Sequence, residues 1–137
     1  MVLLDTSVIV AAFTPDIHSE IAELWLDAPE PFLVSDWAAA EFSAAIRNKV
    51  RRGIVREERL GDVEAAFDAW TEGLGGRQRV LSQDVPLARA MIARRPLLRA
   101  PDAMHIVIAA RLSARLATFD ESQAAAAALE AVPGFVP

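Results

Sequence analysis

The chain opens on an apolar run, Val2 to Leu4, that is too short for a helix and reads as a buried strand. Helix-spaced apolar residues follow from Ser7 to Phe13, and Pro15 ends them. His18 to Leu26 places Ile21, Ala22, Trp25 and Leu26 on helical spacing, and the turn Pro29-Glu30-Pro31 separates it from a strand at Phe32 to Val34. Ser35 and Asp36 are N-cap residues for a helix from Trp37 to about Arg52, with Ala38, Phe42, Ala45, Ile46 and Lys49 along one face and Gly53 as its stop.

The amphipathic pattern returns from Glu57 to Leu74 and closes at Gly73, Gly75 and Gly76, after which Arg79 to Leu81 reads as a brief strand. Ser82-Gln83-Asp84 caps a helix reaching about Arg94. Beyond the Arg94 to Arg99 connector, Pro101 suits the first turn of a helix running to Leu112. Arg115 to Phe119 reads as the next strand, Asp120 opens an Ala-rich helix, and Ala131 to Val136 offers an edge strand. No segment repeats, and Ala124 to Ala128 reads as packed helix, not as a disordered tract.

Strands alternating with helices predict an α/β fold in a single domain over 1–137, with a mostly parallel central sheet flanked by helices on both faces. Asp5 and Asp120 then follow strands directly, at the carboxyl edge where open α/β sheets place their sites. Glu41 lies in the second turn of a helix that a short loop joins to a strand. The connector from Leu112 to Arg115 is so short that helix and strand must run antiparallel. A twelve-residue helix spans about 18 Å and four strand residues about 13 Å, so Asp102 at the helix start is expected beside Asp120 at the strand end.

Composition narrows the chemistry. A 137-residue chain buries roughly two-thirds of the surface its unfolded form exposes, and 53% hydrophobic residues with 24% charged ones exclude a disordered chain. With no cysteine, disulfides and thiolate metal sites are excluded. No basic leader precedes an apolar core and no apolar run approaches membrane-spanning length, so a soluble cytoplasmic protein without membrane contact is the expectation. A net charge of -5 argues against general adhesion to nucleic acid, yet Arg residues bunch in Arg47 to Arg56 and Arg94 to Arg99, beside Glu41 and Asp102.

Ionised carboxylates beside buried runs need a partner, and the sequence offers none nearby. Four of them at one edge repel one another unless a cation neutralises them. Oxygen donors without thiolates suit magnesium, with manganese as a substitute, and such an ion assists attack on a phosphodiester. Arg47, Arg51, Arg94, Arg95 and Arg99 are then candidate contacts to a phosphodiester backbone.

In order along the chain, Leu4-Asp5-Thr6-Ser7, Glu41 early in a helix, Pro101-Asp102-Ala103-Met104-His105-Ile106 and Thr118-Phe119-Asp120 resemble the PIN-domain ribonucleases. Within them, the chain is similar to the toxins of VapBC-type toxin–antitoxin pairs, over essentially its whole length. The resemblance implies a magnesium-dependent endoribonuclease in which Asp5, Glu41, Asp102 and Asp120 coordinate one or two ions, with Thr6, Ser7 and Thr118 as supporting hydroxyls. It also implies an RNA substrate, a homodimer, and a cognate antitoxin whose tail covers the cleft.

Each residue also has a plainer explanation. Asp5 and Asp120 can cap helices, Asp102 can serve the helix dipole, and Glu41 can be a solvated helix acid; only their joint placement points to a site. His105, one turn from Asp102, reads as a packed histidine bonded to a neighbour and stays outside the catalytic set. Trp25, Trp37 and Trp70 read as core or interface. Two rival functions remain: a catalytically silent PIN-like interaction module, which should have lost some acids, and a receiver-like phosphoacceptor, which needs an acidic pair after the first strand and a late lysine. This chain has only Lys49 and no pair at Asp5.

Overall fold

In the computed structural model, which describes residues 1–137, four short strands form one parallel sheet. Strand β1 (Val2–Leu4) is central, between β2 (Phe32–Leu33) and β3 (Arg115–Ala117), and β4 (Gly134–Phe135) is the edge beyond β3. Val2 pairs with both Phe32 and Arg115, and Leu4 with Ala117. The carboxyl ends of β1 and β3 therefore open side by side, and the Asp5 N–H closes the ladder by donating to the Ala117 carbonyl at 2.9 Å.

The helices are α1 (Thr6–Phe13), α2 (Ser19–Leu26), α3 (Asp36–Arg51), α4 (Leu60–Gly73, entered by a 3₁₀ turn Glu57–Arg59), α5 (Asp84–Arg94), α6 (Ala100–Arg111) and α7 (Glu121–Leu129). Side chains alternate across a strand, so the sheet divides the core in two. Leu3 and Leu116 meet Ala88 and Met91 of α5 and Met104 and Ile108 of α6. On the other face Val2, Leu4 and Ala117 meet Val8 and Ile9 of α1, Phe42 and Ile46 of α3, and Phe67 of α4. Burying a Leu, Ile or Phe fully contributes about 1.5–3 kcal/mol, and both layers hold several. The α/β architecture with helices on both faces is as expected.

Helix α6 is buried at every residue from Ala103 to Ala109, which is why its sequence shows no polar stripe. It ends where Ser113 takes a left-handed φ of 51° and the Ala114 N–H returns to the Ala109 carbonyl at 3.0 Å. That reversal feeds β3 directly and brings the start of α6 to the end of β3.

Some boundaries differ from the sequence expectation. Arg79 to Leu81 is not a strand: only an isolated bridge joins Ser35 to Gln78. The reason lies in side chains, since Arg111 donates to the Arg79 carbonyl at 2.8 Å and the Leu81 N–H donates to Asp84 at 2.8 Å, removing the groups a ladder requires. Strand β3 stops at Ala117, not Phe119, because the Phe119 N–H donates to Ser7 Oγ and the Asp120 N–H to Thr118 Oγ1, both at 3.0 Å. In the tail only Gly134 and Phe135 pair with β3. A Cβ at Gly134 would stand 2.6 Å from the Ala124 carbonyl oxygen, so glycine here and alanines in α7 let strand and helix approach closely.

Candidate active site

Asp5, first residue past β1, caps α1 and is 7% exposed. Its Oδ2 accepts from the Ser7 N–H at 2.9 Å, Ser7 Oγ at 2.5 Å and Thr118 Oγ1 at 3.2 Å, while Oδ1 accepts from Gln123 Nε2 at 3.2 Å and lies 3.2 Å from His105 Nε2. Burial pushes this carboxyl up, but the His105 charge and the bonds from Ser7 and Gln123 outweigh it and hold the carboxyl below its ordinary range.

Glu41 reaches the same point from the second turn of α3. Its Oε2 accepts from Thr6 Oγ1 at 2.7 Å and lies 2.6 Å from His105 Nε2. A carboxylate can only accept, so Nε2 carries the proton. For the imidazole, burial pulls its pKa down, and Glu41 and Asp5 more than reverse that, leaving it above the usual histidine value.

Asp102 and Asp120 form the other half of the site. Arg99 Nε and Nη2 grip Asp102 at 2.8 and 3.2 Å, and Nη2 also reaches Asp120 Oδ2 at 3.3 Å. The expected proximity of the two acids is thus expressed through a shared guanidinium. Asp120 also caps α7, its Oδ1 accepting from the N–H groups of Ser122 and Gln123. Asp102 titrates above its ordinary value: burial is the largest cause, Arg99 opposes it, and the charges of Asp120 and Asp5 add to it. That mutual repulsion identifies Asp5, Asp102 and Asp120 as one crowded electrostatic unit. Thr118 and Gln123 tie the halves together, each bonded to Asp5 by its side chain and to Asp120 through a backbone N–H or hydroxyl.

Asp102 and Asp120 border a cleft of about 760 Å³ between the 94–99 connector and α7, lined also by Arg94, Arg95, Leu97, Arg99, Gln123 and Leu129, whereas Asp5 and Glu41 do not line it. Arg94 and Arg95 share Glu130 at 2.8 and 2.7 Å. Arg47 and Arg51 do not join this cleft: Arg47 pairs with Glu64 at 2.7 Å and Arg51 turns to Asn48 at 3.4 Å. Lys49 is likewise elsewhere, bonded to the Pro15 carbonyl and Asp16.

As the side chains stand, no three acidic or histidine groups converge closely enough to hold a metal ion. The cause is visible in the bonding: Asp102 and Asp120 are turned to Arg99, while Asp5 and Glu41 share His105. The donor set nevertheless suits a hard divalent cation, being all oxygen, crowded, and already occupied by a positive group. The partner that the sequence did not reveal for Asp102 is Arg99, three residues earlier. Sequence reasoning also missed Gln123; its place three residues after a capping acid is the one signal that pointed to it. His105 is packed and bonded to a neighbour as expected, and that neighbour is Glu41.

Residues 2–129 match the family model of the PIN domain. Among solved structures, the chain is similar to Mycobacterium tuberculosis VapC20, described as a sarcin-ricin loop cleaving toxin, at 20% identity and a TM-score of 0.72 over 92% of this chain and 95% of that one. It is also similar to a FitAB structure bound to an IR36 DNA fragment, at 21% identity and a TM-score of 0.75 over 100% of this chain and 95% of that one. A third match is FitAcB from Neisseria gonorrhoeae, at 21% identity and a TM-score of 0.65, covering 93% and 94%. No curated protein matches the sequence.

Proposed function

The chain belongs to the PIN-domain family, and on that premise we propose that it is a metal-dependent endoribonuclease, the toxin of a toxin–antitoxin pair. The observation that carries this reading is the meeting of Asp5, Glu41, Asp102 and Asp120, from four separate elements, in one bonded network beside a cleft. Those four acids would hold one or two magnesium ions, or manganese in their place. A bound divalent ion supplies Lewis acidity toward a phosphodiester and makes water easier to deprotonate.

The remaining work falls to the chain's own residues. Thr6, Ser7 and Thr118 fix the carboxylate oxygens of Glu41 and Asp5, so little reorganisation is needed when charge develops. His105 keeps Glu41 and Asp5 in register from a fully enclosed position. Arg94 and Arg99, whose side chains are largely exposed at the cleft, would meet backbone phosphates, with Arg95 behind them. Arg47 and Arg51 would meet RNA only where it extends beyond the cleft. No helix is long and apolar enough to cross a membrane, and a cytoplasmic homodimer restrained by an antitoxin tail over the cleft completes the proposal.

A receiver-like phosphoacceptor requires a lysine at the acids, and Lys49 is engaged at Pro15 and Asp16 instead. The silent-module reading draws on the Arg99 bridge, which fills the acid pair. Metal dependence separates it from the nuclease. Purified protein should cleave RNA with magnesium, stop on chelation with EDTA, and resume when magnesium or manganese is restored. Persistent inactivity across RNA substrates at saturating metal would favour the silent module.

A further inference from the structure

Arg99 is the N-cap residue of α6, and its backbone is extended there, which throws the side chain back over the acids rather than away from them. The guanidinium makes a two-point contact with Asp102 and a third bond to Asp120, leaving Nη1 unused by either acid. Exposure is uneven across the bridge: the Arg99 side chain is 70% exposed, while Asp102 is 15% and Asp120 38%. The arginine therefore lies on the solvent side of the pair, like a cover over the oxygens that any incoming cation would need.

We propose that Arg99 is a built-in cation on the Asp102–Asp120 pair, which a divalent ion displaces and which then turns to a phosphate of the RNA. The proposal rests on the nuclease reading above. The guanidinium fork and a metal ion are like charges drawn to the same carboxylate oxygens, and they repel one another there, so the two cations compete. With its guanidinium largely exposed, Arg99 is free to leave the pair, and its planar fork suits two-point capture of a phosphate once released. Without an ion, Arg99 keeps two crowded acids from repelling one another; with an ion bound, its position at the cleft mouth places it over the substrate.

The displacement predicts effects of opposite sign from one substitution. By calorimetry with manganese(II), Arg99→Gln should bind the ion roughly five-fold tighter than the parent, having no internal cation to expel. At saturating magnesium the KM of the same variant for a single-stranded RNA should rise roughly five-fold. Arg77→Gln, which loses pairs with Asp36 and Asp68 away from the cleft, should change neither value. Nitrogen-15 spectra of the parent should show the Arg99 Nε–H signal, assigned by its loss in Arg99→Gln, shifting as magnesium is added. Equal or weaker manganese binding by Arg99→Gln overturns the competition, and an unchanged KM overturns the transfer to phosphate. If neither protein binds manganese and neither cleaves RNA, the nuclease reading falls together with this one.

Discussion

His105 Nε2 lies 2.6 Å from Glu41 Oε2, joining α6 to α3 through a contact sealed from solvent at the imidazole. The same nitrogen is 3.2 Å from Asp5, so one ring links acids that are 36 residues apart in the chain. Replacing it removes one partner from each, leaving Asp5 to Ser7, Thr118 and Gln123 and Glu41 to Thr6. His105→Ala should cost about 1–3 kcal/mol in urea unfolding, the usual penalty for losing hydrogen bonds to charged groups at a buried position. His105→Gln should recover part of that, because an amide can still donate to Glu41. Full stability of His105→Ala would show that the contact does not hold the site together.

A second linkage anchors the segment before α5. Asp84 is completely buried, takes both ends of the Arg111 fork at 3.0 Å, and accepts the Leu81 N–H. Arg111→Ala leaves that carboxylate enclosed and unpaired, which should destabilise the fold by about 3–5 kcal/mol. Arg111→Lys should restore little, since an ammonium cannot form the two-point contact or also reach the Arg79 carbonyl. Chemical denaturation of the three proteins measures this.

Acid sensitivity should appear at Asp16. Burial pushes its carboxyl up, but the hydrogen bond from Lys49, the His18 N–H and the Lys49 charge more than compensate, so it titrates below its ordinary value of 3.8. A depressed acid contributes stability above the unfolded pKa and loses it as pH falls through the folded one. Asp16→Asn should therefore be less stable than the parent near neutrality, by up to about 1 kcal/mol for this partly exposed pair, with the gap closing below about pH 4. A gap that stays constant down to pH 3 would assign the loss to something other than charge.

The sequence carried the fold through its periodicities: runs such as Val2 to Leu4, helix stripes such as Ala38, Phe42 and Ile46, and the short link from Leu112 to Arg115 each name an element or a direction. Asp5 was legible because an acid directly after a buried strand has one place to go, and Asp120 reaches the same edge although β3 stops at Ala117. Glu41 rested on resemblance, because a single helix acid has no periodic signature. Arg79 to Leu81 misled because Val80 and Leu81 form a short apolar run after a glycine turn, while the backbone groups of the segment are claimed by Arg111 and Asp84. Gln123 had only its spacing from the capping acid Asp120 to signal it, and the shared role of Arg99 depends on side-chain direction, which spacing does not encode.

In the proposed nuclease, Asp5 after β1, Glu41 in α3, Asp102 in α6 and Asp120 beyond β3 form one working unit. Initial rates of RNA cleavage at saturating magnesium should be measured for the parent, Asp5→Asn, Asp102→Asn and the double variant, with circular dichroism confirming that all four are folded. Each single change should lower the rate by roughly a hundredfold or more, and the double change should add little, because groups acting as a unit are not additive. Parent-like cleavage by either single variant would contradict the account.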